Sequence, residues 1–222
     1  MGTLCLVRHG QASFGADDYD QLSPLGVRQC HRLGRYLAER GRRFDTVLIG
    51  TLKRHRQSME AIAQGLGGLP EPLLLPGLNE YDSEAVVRAI HPGELARPDN
   101  PETVRQHFRL LREGLLRWME GSAQPQGMPR HADFVAGVAD ALRQARERAD
   151  GEVLIVSSGG PISTALGVVL GLGPEAVVDL NMRIRNSALT EFHATPRRHS
   201  LLTFNTLPHL DDPAHADWVT YA

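Results

Sequence analysis

Short runs of aliphatic residues recur along the chain, and polar residues or glycine follow each of them. Four of these runs are residues 3–7, 46–49, 73–75 and 153–157. They show little alternation of apolar and polar positions, which predicts strands buried on both faces, as in a parallel sheet. Residues 188–192 and 201–204 predict two further strands near the end of the chain.

Helical patterns separate these predicted strands. Ser23 and Pro24 are typical of a helix start, and the apolar positions that follow keep helical spacing up to Gly41. Residues 52–66 and 162–170 predict two more helices. Because strands and helices alternate with short links, the pattern predicts β-α-β units and therefore parallel strands.

Residues 83–150 have a different character, since they predict mostly helices. We interpret this segment as a helical cap inserted on one side of the sheet, where it helps to shape a substrate pocket. No repeat, low-complexity segment or linker divides the sequence. We therefore predict an α/β fold, a three-layer sandwich with a mostly parallel sheet of about five or six strands, in a single domain spanning residues 1–222.

The amino-acid composition of the chain restricts the kinds of binding partner that can be expected. Of the 222 residues 41% are hydrophobic and 23% charged, and the formal net charge is −2. Such a chain gives no reason to expect nucleic acid or a membrane surface as a partner. No apolar run approaches the ~20 residues that span a bilayer, and the N-terminus lacks a signal-peptide pattern. Cys5 and Cys30 have no metal-ligand spacing, so we expect a cytoplasmic protein without a metal or other cofactor.

Chemically active residues come directly after the predicted strands. They are Arg8-His9-Gly10 after the first strand, Lys53-Arg54 after the second, Glu80 after the third and Ser157-Ser158-Gly159-Gly160 after the fourth. The carboxyl ends of parallel strands meet at one edge of the sheet, where ligands of open α/β sheets bind. A guanidinium suits phosphate oxygens, a neutral imidazole can attack phosphorus, and a glycine-rich helix start binds anions. The set predicts a phosphoryl-transfer site.

Two other features are candidates for a role near this site. The loop 11–21, with Asp17, Asp18 and Asp20, is typical either of a segment that closes a site or of a solvated turn. Cys30 would need an arginine six residues later to act as in a cysteine phosphatase, and Tyr36 stands there. We therefore interpret Cys30 as a core residue.

The ordered set of motifs resembles the histidine phosphatase (phosphoglycerate-mutase-like) superfamily over essentially the whole chain. The segment Leu22-Ser23-Pro24-Leu25-Gly26 with Gln29, and the pattern Arg54-x-x-x-Ser58-x-Glu60, add to the resemblance. It implies that His9 is the nucleophile that becomes a phosphohistidine, and that Glu80 protonates the leaving oxygen. It also implies that Arg8 and Arg54 hold the phosphate, with Ser158 and Gly159 at the same phosphate site.

One position departs from this family pattern. Members usually carry a second histidine after the fourth strand, in a His-Gly pair, and Ser158-Gly159 stands there in this chain. An imidazole can donate a charged hydrogen bond to phosphate, whereas a serine hydroxyl donates a neutral one. None of the other histidines matches the missing position. We interpret His31 and His55 as solvent-facing helix residues, and His209 either stays in the tail or folds back towards the site.

The leading functional hypothesis is a metal-independent phosphomonoester hydrolase, slowed by the serine at position 158. Its partner would be a small phosphorylated substrate or a phosphoprotein. One alternative is a degenerate member that binds a phosphorylated ligand without turnover, which Ser158 favours. A less favoured alternative is a phosphoglycerate mutase, which would need to shield its phosphoenzyme from water.

Overall fold

The computed structural model describes residues 2–13, 20–93, 100–148, 151–195 and 197–221. Within these residues the strands are β1 (Gly2–Arg8), β2 (Thr46–Ile49), β3 (Leu73–Leu74), β4 (Glu152–Ser157), β5 (Leu189–Ala194) and β6 (His199–Thr206). The helices are α1 (Pro24–Glu39), α2 (Lys53–Leu66), α3 (Ser83–Ile90), α4 (Pro101–Glu120), α5 (His131–Glu147), α6 (Gly159–Leu170) and α7 (Pro174–Asn181).

The strands form a six-stranded sheet in the order β3-β2-β4-β1-β5-β6. β1 pairs in parallel with β4, and β2 pairs in parallel with both β3 and β4. β5 pairs in an antiparallel direction with both β1 and β6. The mostly parallel sheet is thus confirmed, and its two antiparallel strands lie together at one side.

Both faces of the sheet are covered by helices, which confirms the three-layer sandwich. Along β1, Cys5 and Val7 pack against the layer of α1 and α2, whereas Leu4 and Leu6 pack against the layer of α5 and α6. This alternation follows from the pleat of a strand, which directs successive side chains to opposite faces. All four side chains are at most 2% exposed, so the aliphatic run has no solvent face.

The segment 83–150 divides between two environments. Helices α3 and α4 pack together with α7 around the buried indole of Trp118. Helix α5 packs on the sheet beside α6, with Val138 and Leu142 in the core of that layer. Residues 94–99 and 149–150 of the predicted cap lie outside the described residues. None of the helices in the described ranges is long and apolar enough to cross a membrane.

Candidate active site

The carboxyl ends of β1 and β4 lie side by side and present the central residues of the site. Arg8 pairs with Ser157 in the β1–β4 register, and the backbone N–H of His9 donates to the Ser157 carbonyl over 2.8 Å. His9 and Ser158 therefore leave the sheet next to each other. The parallel register brings together residues about 150 positions apart in the sequence.

His9 is buried and held in one orientation. Its side chain is 3% exposed, and Nδ1 lies 2.7 Å from the Gly10 carbonyl oxygen. A carbonyl can only accept, so Nδ1 carries the proton and Nε2 keeps the lone pair. Burial lowers the pKa of His9 well below its ordinary value, and the charges of Arg8 and Arg54 lower it further. At neutral pH the imidazole is uncharged, as a nucleophile requires.

The turn after His9 is fixed by contacts to both neighbouring helices. The Gly10 N–H donates to Ser58 Oγ over 3.1 Å, and the Gln11 N–H donates to Gln29 Oε1 over 2.8 Å. A Cβ on Gly10 would lie 2.3 Å from the carbonyl oxygen of Gly26, so only glycine permits this approach of the turn to α1. The motif residues Ser58 and Gln29 thus hold the backbone that carries His9.

Arg54 lies in the first turn of α2 and is only 7% exposed. Its Nη1 forms an ion pair with Asp20 Oδ1 at 2.7 Å. Asp20 Oδ2 also accepts from the Lys53 N–H over 2.9 Å, while Leu52 at the N-cap offers no side-chain cap. Asp20 therefore neutralises Arg54 and caps α2 from the 11–21 loop. Asp17 and Asp18 of that loop lie outside the described residues.

Arg8 lies at the end of β1 and reaches the C-terminal segment. Its Nη1 donates to the backbone carbonyls of Ile184 and Tyr221, the latter over 2.6 Å. Its charge nonetheless acts on the site, since it lowers the pKa of both His9 and Glu80. Arg8 thus supplies positive charge while it ties the tail to the strand.

Glu80 lies opposite the start of α6. Its Oε1 accepts from the Gly160 N–H over 3.0 Å, and a Cβ at residue 160 would lie 2.2 Å from that oxygen. The preceding backbone is fixed because Ser157 Oγ donates to the Leu78 carbonyl over 2.7 Å. Burial raises the pKa of Glu80, although Arg54 and the Gly160 N–H lower it in part. The result is a carboxyl group that holds its proton to a higher pH than usual.

Ser158 and Gly159 begin α6 and are both fully or nearly fully buried. Ser158 occupies the N-cap position, but its side chain makes no cap hydrogen bond to the helix. Its Oγ lies instead 2.7 Å from His55 Nε2. The amino end of α6 thus contacts the side chain of Glu80 rather than the serine hydroxyl.

His55 corrects the sequence interpretation, which made it a solvent-facing residue. Its side chain is 0% exposed, and its ring centroid lies 5.9 Å from that of His9. Burial, and then the charge of Arg54, lower the pKa of His55 to about 3, so the ring is neutral. Within the first turn of α2, Arg54 and His55 face the sheet edge, whereas Lys53 and Arg56 are exposed. A signal was present, since residues 55, 58, 59 and 62 form one buried helical stripe.

Among the described residues, the remaining candidates make no hydrogen bond or ring contact with His9, although Cys30 packs against the turn at Gly10. His209 folds back and is 1% exposed, but its Nε2 contacts Ser187 Oγ at 2.9 Å, and the charged side chain beside it is Arg32. Cys30 is fully buried, and burial raises the pKa of its thiol to about 11, which confirms it as a core residue. His31 is exposed on α1, as predicted.

Comparison with known proteins identifies the family. The family model of the histidine phosphatase superfamily (branch 1) matches residues 4–207. The chain therefore belongs to the histidine phosphatase superfamily. Two curated relatives are 2,3-bisphosphoglycerate-dependent phosphoglycerate mutases of two Methylorubrum extorquens strains, each 32% identical over 87 residues. The matched segment covers 36% of this chain and 41% of each relative.

Solved structures share the fold at lower sequence identity. Bacillus stearothermophilus YhfR superposes with a TM-score of 0.68 at 16% identity, covering 94% of this chain and 99% of that one. Phosphoserine phosphatase from Entamoeba histolytica, in complex with 3-phosphoglyceric acid, gives 0.62 at 21% identity, covering 95% and 100%. Mycobacterial glucosyl-3-phosphoglycerate phosphatase gives 0.61 at 19% identity, covering 92% and 98%.

Proposed function

We propose that the chain is a metal-independent phosphomonoester hydrolase that works through a phosphohistidine on His9. Membership of the superfamily supports a phosphatase-type activity in general. The observation that carries the specific proposal is the state of the His9 imidazole. It is buried and neutral, its Nδ1–H is held by the Gly10 carbonyl, and its Nε2 lone pair lies in the field of two guanidinium groups.

In the first step, His9 Nε2 attacks the phosphorus atom of the ester. The P–N bond forms as the P–O bond to the leaving group breaks, and the Glu80 carboxyl gives its proton to the leaving oxygen. The raised pKa of Glu80 supports this role, since more of the group is protonated near neutral pH than for an ordinary glutamate.

In the second step, water attacks the phosphorus atom of the phosphohistidine. Glu80, now a carboxylate, takes a proton from this water as the new P–O bond forms and the P–N bond breaks. Inorganic phosphate leaves, and both His9 and Glu80 return to their starting states. No redox change and no further reactant is required.

The arginines would stabilise the charge on the equatorial oxygens of the transferring group. For Arg54 this means exchanging its partner Asp20 for phosphoryl oxygens. The donors contributed by Ser158 and by the amino end of α6 are neutral, and charge-assisted hydrogen bonds are about twice as strong as neutral ones. We therefore expect turnover to be slow for an enzyme of this type.

The substrate we propose is a small phosphorylated compound. The E. histolytica structure contains 3-phosphoglyceric acid, and the mycobacterial enzyme acts on glucosyl-3-phosphoglycerate, as their names state. A phosphoprotein is the alternative. For either kind of substrate, loop 11–21 and the cap helices α3 and α4 would determine which compounds reach His9.

The test measures hydrolysis of p-nitrophenyl phosphate in the presence of EDTA, followed by trapping of the phosphoenzyme. We expect turnover with EDTA present and a phosphoryl group on His9 that is labile in acid and stable in base. His9→Ala should lose turnover and trapping, with Tm within a few degrees of wild type. His31→Ala, an exposed histidine, is the matched control and should behave as wild type.

Each other outcome identifies a rival. Absence of turnover, together with thermal stabilisation by phosphate, would favour a binding protein. Exchange between phosphoglycerate isomers faster than phosphate release would favour a mutase, the activity named for the curated relatives. Activity retained in His9→Ala would exclude the phosphohistidine route.

A further inference from the structure

Two buried side chains of the site take no part in the proton transfers above, namely His55 and Ser158. Both are 0% exposed, and they contact each other through a 2.7 Å hydrogen bond between Nε2 and Oγ. The His55 ring lies 5.9 Å from the His9 ring, centroid to centroid, with the planes inclined by 42°. The pair therefore stands beside the nucleophile and not in the general core.

The Ser158 hydroxyl is diverted from its ordinary task. A serine at an N-cap usually accepts a hydrogen bond from the helix, and losing that bond costs about 0.5–2 kcal/mol. Here the side chain of Ser158 makes no such bond, and Glu80 Oε1 accepts from the Gly160 N–H instead. Among the described residues, the hydrogen-bond partner of Ser158 Oγ is His55 Nε2, so the imidazole fixes the orientation of the hydroxyl group.

The proton of His55 can be assigned from its surroundings. Nδ1 of His55 packs against Gly50 so closely that a Cβ added to residue 50 would lie 2.2 Å from it. Among the described residues Nδ1 has no hydrogen-bond partner. A neutral imidazole carries one N–H, and a buried N–H without an acceptor is rarer than a buried lone pair without a donor. The proton therefore belongs on Nε2, which donates it to Ser158 Oγ. The hydroxyl proton of Ser158 is then left for a different acceptor.

We propose that His55 is a positioning residue that aims the Ser158 hydroxyl, as a hydrogen-bond donor, at the phosphoryl group transferred to His9. This assignment rests on the function proposed above. Ser158 is the residue that would touch the substrate, and His55 acts through it. Neither side chain gains or loses a proton during either step, since Glu80 carries the proton transfers.

The experiment is a double-mutant cycle on the phosphorylation of His9, measured as single-turnover release of p-nitrophenol. Removing a preorganised oxyanion donor costs about 10²–10³-fold, so Ser158→Ala should lower the rate by about 10²-fold. His55→Ala should lower it by about 10-fold, the scale of one neutral hydrogen bond, with little change in KM. In the Ser158→Ala background, His55→Ala should cost nothing more, because its only route of action is gone.

Two further variants separate positioning from packing. His55→Gln keeps an N–H donor and should recover most of the rate lost in His55→Ala. His209→Ala is the matched control, since His209 is also buried, with a pKa of about 3, and contacts a serine hydroxyl. It should lower Tm while leaving the phosphorylation rate near that of wild type.

The outcomes distinguish this assignment from the function on which it rests. If wild type forms no phosphohistidine, the proposed function fails and this assignment with it. If wild type forms it and the Ser158 and His55 variants form it equally fast, only this assignment is wrong. An equal loss from His55→Ala with and without the Ser158 hydroxyl would also overturn it, because His55 would then act through packing.

Discussion

Arginine side chains lie in contrasting charge environments at the two ends of the parallel strands. At the edge opposite the site, Arg42 donates from Nε to Glu152 at 2.6 Å and from Nη1 to Glu191 at 2.9 Å. Although burial lowers its pKa, these carboxylates raise it by more, and the cation is matched by two anions. At the site edge, Arg8 and Arg54 stand beside neutral imidazoles whose pKa values they lower.

The comparison separates a cation held between carboxylates of the sheet from the cations that, in the proposed function, would bind a phosphoryl group. Arg42 is paired with two carboxylates of the sheet, whereas Arg54 is paired with Asp20 of the 11–21 loop and lies beside two buried imidazoles. The charges of Arg8 and Arg54 both lower the pKa of His9, so both act at the position where the proposed function needs positive charge for a phosphoryl group. Four substitutions or measurements test this contrast.

The largest effect is expected from Arg54→Ala. Turnover should fall by about 10²–10³-fold, because a preorganised donor to the phosphoryl oxygens is lost. Steady-state hydrolysis of p-nitrophenyl phosphate measures this. Arg42→Ala should leave kcat near the wild-type value. Equal losses of turnover in Arg54→Ala and Arg42→Ala would contradict the proposed difference in role between these two arginines.

Glu80→Gln should have a smaller and selective effect. A glutamine cannot give a proton, so phosphate esters with alkoxide leaving groups should react about 10²-fold more slowly. p-Nitrophenolate needs little protonation, and the rate of His9 phosphorylation from its ester should change little. Single-turnover rates with the two kinds of substrate compare these effects. A uniform loss would assign Glu80 a structural role at the start of α6.

The pH profile of kcat/KM should be asymmetric. Because the pKa of His9 is lowered, its neutral form persists as pH falls below about 6.5, and no acid limb should arise from it there. Because the pKa of Glu80 is raised, activity on alkyl phosphates should fall as pH rises through that raised value. The alkaline limb should disappear in Glu80→Gln. An acid limb at about pH 6.5 that the ionisation of the phosphate ester itself, at about pH 6, does not explain would contradict the assigned state of His9.

The smallest effect is on stability. Arg42 is partly exposed, and exposed or half-exposed ion pairs contribute up to about 1 kcal/mol each. Arg42→Met should therefore lower the free energy of unfolding by about 1–2 kcal/mol, measured by urea denaturation. High salt should reduce the difference. Arg54→Ala should lower the free energy of unfolding by less than it raises the activation free energy of turnover, because its proposed role is to donate to the phosphoryl oxygens.

Much of the fold could be predicted because buried parallel strands have an unambiguous pattern. β1, β2 and β4 were predicted within one residue at each end, since both faces of each strand are covered. Helix α6 begins at Gly159, three residues before the predicted start, because tertiary contacts offset the low helix propensity of Gly159-Gly160-Pro161. Helix α7 was not predicted, since its eight residues are too few for a clear period.

The candidate site was predictable in part for the same reason. His9, Arg54, Glu80 and Ser158 each follow a predicted strand, so their meeting at one edge follows from the parallel topology alone. The partner of Ser158 was not predictable, because it depends on how α2 is rotated over the edge. Helical periodicity describes which residues share a face, but the neighbour of that face is set by tertiary packing.

The bond from Arg8 to the Tyr221 carbonyl has a consequence for biosynthesis. The two residues are separated by 213 positions, and β1 also waits for β4 and β5 to flank it. β1 therefore has no strand neighbour until β4 has been synthesised, and it lacks its second neighbour until residue 194 has been added. Long-range topology of this kind slows folding and exposes unpaired strand edges in the meantime. If the chain is the hydrolase proposed above, activity would appear only after residues 152–221 have been made and have packed against β1, so its appearance would report completion of this long-range topology.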